Sequence, residues 1–367
     1  MSETIGIIGI GKMGLCFALN LERSGFRVLG MDIEKDYVDQ INNRTLQSHE
    51  PEVNSLLKAS KDFFATTDIK IILDETNIVF ISVATPTSDE GYDHSQVDSV
   101  LERIASFGKQ PLRKYLIIAC TTIPGYCDKA AAKVAPFNIS LSYNPEFIAQ
   151  GSIIHDQRYP DQVLIGEADK NAGDAIENIY RRLTKSNPRF CRMSRLSAEI
   201  CKLATNCFLT TKISFANAIG DLAIAAGAEP EKILHAIGAD NRIGDKYLRH
   251  GFGFGGPCFP RDNRALRLYA DQIGYDLLIS QATDKTNAYH LEFMLNQWLK
   301  KHEDSKEVVF DYVTYKPGSV ILEESQQLAL AVKMAQAGKR VRIRERKAVI
   351  KEVKKIYGNL FQYEERI

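Results

Sequence analysis

The sequence lacks any recognisable metal-ligand spacing: its seven histidines are scattered along 367 residues. Its seven cysteines, an odd number, include no Cys-x-x-Cys pair and no regular interval. That argues against a disulfide framework and for reduced thiols in a cytoplasmic protein. Five of them, Cys16, Cys120, Cys191, Cys201 and Cys207, lie in or beside apolar periodic segments and are expected to be packed. An excess of one charge is also missing. Lys and Arg number 47 against 46 Asp and Glu, which gives no support for a nucleic-acid or membrane-surface partner. There is no apolar run long enough to span a bilayer. The opening Met1-Ser2-Glu3-Thr4 has none of the basic start of a signal peptide. These absences leave a soluble globular chain, and its length makes two or three domains the expectation.

What is present begins with residues 5–10, an apolar run like a buried parallel strand. Gly9-x-Gly11-x-x-Gly14 follows and opens a segment, 13–21, with helical apolar spacing. Residues 26–31 read as a second strand that ends at Asp32. Strand, glycine turn, helix, strand and acidic residue together are the context a dinucleotide fingerprint requires. The glycines let a pyrophosphate lie against the backbone at the helix N-terminus. Asp32 can accept hydrogen bonds from a ribose and would repel a 2′-phosphate, so NAD is expected over NADP.

Three further strand candidates end in polar turns that contain proline. Residues 78–84 run into Thr85-Pro86-Thr87, 115–120 into Thr121-Thr122-Ile123-Pro124-Gly125, and 139–143 into Asn144-Pro145-Glu146-Phe147. In an open α/β sheet, ligands bind beyond the carboxyl ends of the strands. Thr85, Thr122 and Glu146 are therefore expected to line one crevice, with Glu146 able to serve as a base or hold a water. Residues 161–166 and 188–193 read as two more strands with a helix between them.

Residues 197–226 contain no proline and carry apolar residues at helical spacing, so one long helix is expected, and 275–302 reads as another. Lys202 and Asn206, four apart, share a face of the first. Their neighbours are small or apolar, and a polar pair in such surroundings calls for a partner or a ligand. Long helices in mid-chain suggest a homodimer core. Segment 251–262, Gly-Phe-Gly-Phe-Gly-Gly-Pro-Cys-Phe-Pro-Arg-Asp, holds four glycines in its first six residues. Its glycines allow close backbone approach to a ligand, and a helix expected to start near Asp262 would put Cys258 before a helix N-terminus, where a thiolate is favoured. Towards the end, strand 308–312, helix 326–337 and strand 340–344 form a βαβ pattern. Arg340, Arg342 and Arg344 alternate on one strand face and are expected to meet solvent.

With these motifs together, the chain resembles the UDP-glucose/GDP-mannose dehydrogenase family. The likeness is dense over residues 4–290. It rests on the first glycine motif, Thr85-Pro86, Thr122-Ile123-Pro124, Asn144-Pro145-Glu146-Phe147, Lys202-Leu203-Ala204-x-Asn206, Arg242-Ile243-Gly244 and the stretch from Gly253 to Asp262. The resemblance implies an α/β chain with a Rossmann-like doubly wound NAD-binding domain at 1–195. A central long-helix dimerisation domain with the cysteine loop would cover 196–302, and a shortened α/β domain like a UDP-binding one 303–367. It implies a homodimer acting on a nucleotide sugar with NAD and no metal, most simply on UDP-glucose. Cys258 would be the nucleophile, Lys202 and Asn206 the oxyanion donors, and Asp262 and Glu146 would handle protons and water with help from Thr122. Gly9, Gly11, Gly14, Asp32, Thr85, Thr122, Gln150 and Arg261 match cofactor contacts. Glu146, Phe147, Lys202, Asn206, Arg242, Tyr247, Gly251, Gly255 and Lys316 match substrate contacts, with Arg242 reaching a neighbouring subunit. Three departures bear on nucleotide binding: Gln150 stands for a usual glutamate, Glu323 for a usual arginine, and the last domain stops early. Two other readings remain at this stage: a two-electron hydroxyacid-type dehydrogenase, which has no need of Cys258, and a binding protein without activity.

Overall fold

A computed structural model describes residues 3–88, 91–149 and 151–366. The chain forms two compact units, Met1–Lys202 and Leu203–Ile367. The helix Arg195–Ala225 begins in the first and ends in the second.

The first unit is built on strands β1 (Thr4–Ile8), β2 (Arg27–Met31), β3 (Phe63–Thr66) and β4 (Ile78–Ile81). A short hairpin follows, β5 (Thr87–Ser88) with β6 (Gly91–Tyr92), and then β7 (Lys114–Ile118), β8 (Ile139–Tyr143), β9 (Gln162–Gly166) and β10 (Arg189–Met193). Eight of these make one sheet in the order β10-β9-β8-β7-β4-β1-β2-β3. The six from β8 to β3 run parallel in the doubly wound order. The strand order reverses between β1 and β4, and a crevice at that switch point is where such sheets take ligands. β9 and β10 are parallel to each other and antiparallel to β8, joined through Tyr143 and Gly166.

The strands are apolar without alternation because both faces are covered. Ile5, Ile7, Phe80 and Ile117 pack on one face with Leu15 and Leu19 of the helix Lys12–Arg23 and Ile176 of Lys170–Leu183. Ile8, Val79, Ile81 and Leu116 pack on the other with Leu101 of Ser95–Ser106 and Ala130 of Tyr126–Val134. Each such fully buried side chain contributes about 1.5–3 kcal/mol.

In the second unit, the helices Pro230–Gly238, Phe259–Gln272 and Leu278–Lys301 precede a three-stranded parallel sheet. Its strands are β11 (Glu307–Phe310), β12 (Arg340–Glu345) and β13 (Gln362–Glu365). Ser325 caps the helix Gln326–Gln336, accepting from the Leu328 amide at 3.2 Å. Gly338, at φ +86°, turns the chain back into β12. The core joins Val308, Phe310, Leu330, Val341 and Ile343, with Trp298 stacked on Phe310 at 5.0 Å.

Two expectations are corrected here. The helix after the cysteine begins at Phe259, not near Asp262. The arginines of β12 do not simply meet solvent: Arg342 pairs with Glu307 and Glu364, and Arg344 with Asp311 and Glu364. β13 supplies Glu364 by lying beside β12, a pairing that strand patterning alone does not reveal. Cys127, outside the five expected to be packed, is fully buried. Among the described residues, no helix is long and apolar enough to cross a membrane.

Candidate active site

The glycine turn after β1 is tightly determined. Gly9 has φ +88°, and a Cβ on Gly14 would lie 2.0 Å from the Gly9 carbonyl oxygen. Neither position accepts a side chain. Gly11 differs: a Cβ there would meet nothing within 4 Å. It is also the N-cap of Lys12–Arg23, with no side chain capping the first amides and no acidic residue in the first turn. An uncapped helix N-terminus beside open space fits the pyrophosphate of a dinucleotide. Asp32 stands at the end of β2, one carboxylate oxygen accepting from the Glu34 amide at 3.2 Å. Thr85, after β4, donates its hydroxyl to the Thr121 carbonyl at 3.0 Å. Gln150 lies outside the described residues.

Thr122 is placed differently from the expectation that it faces the crevice. It is fully buried, and its hydroxyl donates to Glu199 at 2.9 Å. Glu199 also accepts from the amides of Gly125 at 2.7 Å and Cys127 at 2.8 Å. It thereby caps the helix Tyr126–Val134 from more than seventy residues away. Burial raises the Glu199 carboxyl above its usual range, against the pull of these donors.

Glu146, Phe147 and Lys202 come together. The Lys202 ammonium donates to the Glu146 carbonyl oxygen at 2.5 Å and lies 4.1 Å above the Phe147 ring. Lys202 itself is 7% exposed. The Glu146 carboxyl accepts from the Tyr180 hydroxyl at 3.4 Å. Burial pushes this carboxyl up to about 7, although Lys202 and Tyr180 pull it down. A group that titrates near neutrality is suited to exchange protons at working pH. The same shift has a stability consequence. Below pH 4.5 the carboxyl is neutral in both folded and unfolded chains, and its burial costs little. As pH rises through about 7, the folded protein must ionise it and stability falls. Glu146→Gln should therefore unfold at a higher temperature than the wild type at about pH 8, with the gap closing near pH 5, while activity drops. Thermal unfolding at the two pH values checks this.

In the second unit, Asn206 donates to Asp262 at 2.6 Å, and Asp262 is 1% exposed. Arg261 lies 3.8 Å from the other oxygen of the same carboxylate. Cys258 is the N-cap of Phe259–Gln272 and the exposed one of the seven cysteines. Pro260 occupies the first turn, where a missing N–H costs nothing. Of the glycines before it, Gly253 and Gly255 are required by the protein's own packing. A Cβ on them would meet Asn287 Oδ1 and the Glu324 carbonyl oxygen at 2.2 Å each. Gly251 has nothing within 4 Å of that position. Tyr247 holds a left-handed φ of +62° and sets its ring 6.3 Å from that of Phe259. Arg242 is turned onto Asp240 at 2.7 Å. The Lys316 ammonium sits 5.6 Å from the Tyr315 ring centroid.

Sequence reasoning passed over Glu199, Tyr180 and the residues that hold the 251–254 backbone. For Glu199 a signal was available: it is an acid three residues before Lys202 in an otherwise apolar stretch.

The family model for the NAD-binding domain of UDP-glucose/GDP-mannose dehydrogenases matches residues 3–184, and that for the family's central domain matches 196–289. The chain belongs to this family. It is 31% identical over 352 residues to UDP-glucose 6-dehydrogenase of Pseudomonas aeruginosa, covering 92% of this chain and 77% of the relative. It is 28% identical over 374 residues to GDP-mannose 6-dehydrogenase of the same organism, covering 98% and 84%. The solved structure of a UDP-glucose dehydrogenase from Pyrobaculum islandicum superposes with a TM-score of 0.87 at 27% identity, covering all of this chain and 87% of that one. The chain is thus an NAD-dependent nucleotide-sugar dehydrogenase, and the open turn at Gly11 accords with its cofactor.

Proposed function

We propose that this dehydrogenase oxidises the C6 hydroxyl of UDP-glucose to the carboxylate of UDP-glucuronate, a four-electron change at one carbon. Cys258 carries the reading, as an exposed thiol at the head of a helix, where the thiolate is favoured. NAD, when bound, supplies the oxidant for each two-electron stage. The chain's own residues do the rest. Once the alcohol has become an aldehyde, the Cys258 sulfur adds to C6, and the carbonyl oxygen takes up the electron pair as an alkoxide. Lys202 and Asn206 are the donors for that oxygen. The second oxidation leaves a thioester, so the aldehyde never departs between the stages. Water then adds to the thioester carbon, the C–S bond breaks, and the thiolate returns. Glu146 takes the proton of that water, while Asp262 orients Asn206 through their 2.6 Å bond. Gly9, Gly11, Gly14, Asp32 and Thr85 hold the cofactor with Arg261. Phe147, Tyr247, Gly251, Gly255 and Lys316 hold the nucleotide sugar.

The reading includes a homodimer. Phe208, Phe215 and Leu222 recur every seven residues on Arg195–Ala225 and are 68%, 48% and 64% exposed. A stripe at that interval is what a helix partner buries. Arg242 would then serve the neighbouring copy's site.

UDP-glucose is supported by the similarity to UDP-glucose 6-dehydrogenases, and the Asn144-Pro145-Glu146-Phe147 turn argues for a plain hexose over an N-acetylated one. The test is a panel of UDP- and GDP-hexoses scored by NADH formed per sugar. Two NADH per UDP-glucose is expected. One NADH per sugar would refute the covalent four-electron route, and turnover of GDP-mannose alone would refute the substrate.

A further inference from the structure

The backbone that leads to Cys258 is stitched to two helices by side chains at helical spacing. Asn217 and Asp221 lie one turn apart on Arg195–Ala225, and Asn287 and His290 one turn apart on Leu278–Lys301. Asn217 accepts from the Gly251 amide at 3.0 Å. Asn287 brackets Phe254, accepting from its amide at 2.9 Å and donating to its carbonyl at 3.0 Å. His290, 1% exposed, has one ring nitrogen 2.6 Å from the Gly251 carbonyl oxygen and the other 2.8 Å from Asp221 Oδ2. The second oxygen of Asp221 lies 2.9 Å from His250 Nε2.

A carbonyl oxygen only accepts hydrogen bonds, and so does an ionised carboxylate. Burial opposes ionisation of Asp221, yet the bonds from His250 and His290 hold its carboxyl below the usual range. Both ring nitrogens of His290 thus face acceptors, and a neutral ring carries one hydrogen for two bonds. The arrangement needs a cation between His290 and Asp221, either a proton or a metal ion. Ligands about a tetrahedral zinc at roughly 2.0–2.1 Å would stand further apart than hydrogen-bonded atoms do. The separations here, 2.8 and 2.9 Å, are those of shared protons.

We propose that His290 is a positioning residue, held as an imidazolium between the Asp221 carboxylate and the Gly251 carbonyl, and that it fixes the loop on which the sugar nucleotide rests. The proposal depends on the reading above that residues 247–251 meet the nucleotide sugar. His250 and Gly251 are consecutive, so the two histidine bonds lock the end of that loop from both sides of one carboxylate. This role differs from catalysis, because His290 acts through Gly251 and not on the reacting carbon.

The test uses the full chain. His290→Leu removes both donors, whereas His290→Gln retains an amide that can still donate to Gly251. His290→Leu should raise KM for the nucleotide sugar about tenfold, with kcat and KM for NAD within about twofold, and His290→Gln should recover most of the loss. In nitrogen NMR of the histidine-labelled wild type, both His290 ring nitrogens should carry hydrogen, and Asp221→Asn should abolish that signature. The proposal is overturned by an unchanged KM in folded His290→Leu, by a neutral His290 ring, or by a stoichiometric metal whose removal shifts the His290 signals. If His290→Leu does not fold, the wild-type and Asp221→Asn spectra decide. If the wild type oxidises no nucleotide sugar, the functional reading fails. The spectra, with slow hydrogen exchange of the Gly251 and Phe254 amides, then still test the clamp.

Discussion

Replacing Cys258 with alanine should abolish carboxylate formation, lowering net turnover by roughly 10³-fold or more. The other six cysteines do not substitute for it: Cys16, Cys120 and Cys127 are buried and Cys191, Cys201 and Cys207 partly so. Burial pushes the thiols of Cys16, Cys120 and Cys207 up to about 12, where thiolate is negligible at neutral pH. Cys258 stands instead at the N-terminus of a fourteen-residue helix. Cys258→Ser keeps the size and the cap position but supplies a much weaker nucleophile, so it should be nearly as inactive. The measurement is acid product by mass spectrometry beside NADH release. Full acid yield from Cys258→Ala would leave no role for a covalent stage.

The second large effect is expected at Lys202. Lys202→Met keeps the aliphatic stem over Phe147 and removes the charge, and kcat should fall by roughly 10²–10³-fold with a small change in KM. The physical reason is that an ammonium held in a mostly buried position stabilises a developing alkoxide far better than water does. Lys202 is 7% exposed and already oriented by the Glu146 carbonyl and the Phe147 ring. Little rearrangement is then required when charge appears. Asn206→Ala should give a comparable loss of kcat and also release Asp262 from its 2.6 Å bond. A Lys202→Met enzyme with normal kcat and raised KM would assign the residue to binding.

Much of the nucleotide end of the first unit could be read from the chain. β1, the glycine turn and β2 carry a local code in their order along the chain, and Gly14 answers to the Gly9 carbonyl five residues before it. β8 and the two long helices were likewise legible from apolar periodicity. What escaped depends on partners distant in sequence. Thr122 looks like a crevice residue because it follows a strand, and only the fold reveals Glu199 beneath it. The Arg342 and Arg344 pairs depend on a strand twenty residues later. The reversed direction of β9 leaves no mark on its composition, because a strand covered on both faces is apolar whichever way it runs. His250 and His290 are unremarkable forty residues apart, and they gain meaning only through Asp221.

The carboxylate of Glu199 gathers three donors, the Thr122 hydroxyl and the amides of Gly125 and Cys127. Because Glu199 belongs to the first turns of Arg195–Ala225, the 121–125 turn cannot fray unless that helix start gives way too, or a bare carboxylate is left dry. Those two amides should accordingly keep their hydrogens on the slow timescale of the helix and not that of a surface bend. Heat or urea would dismantle this corner of the first unit in a single step.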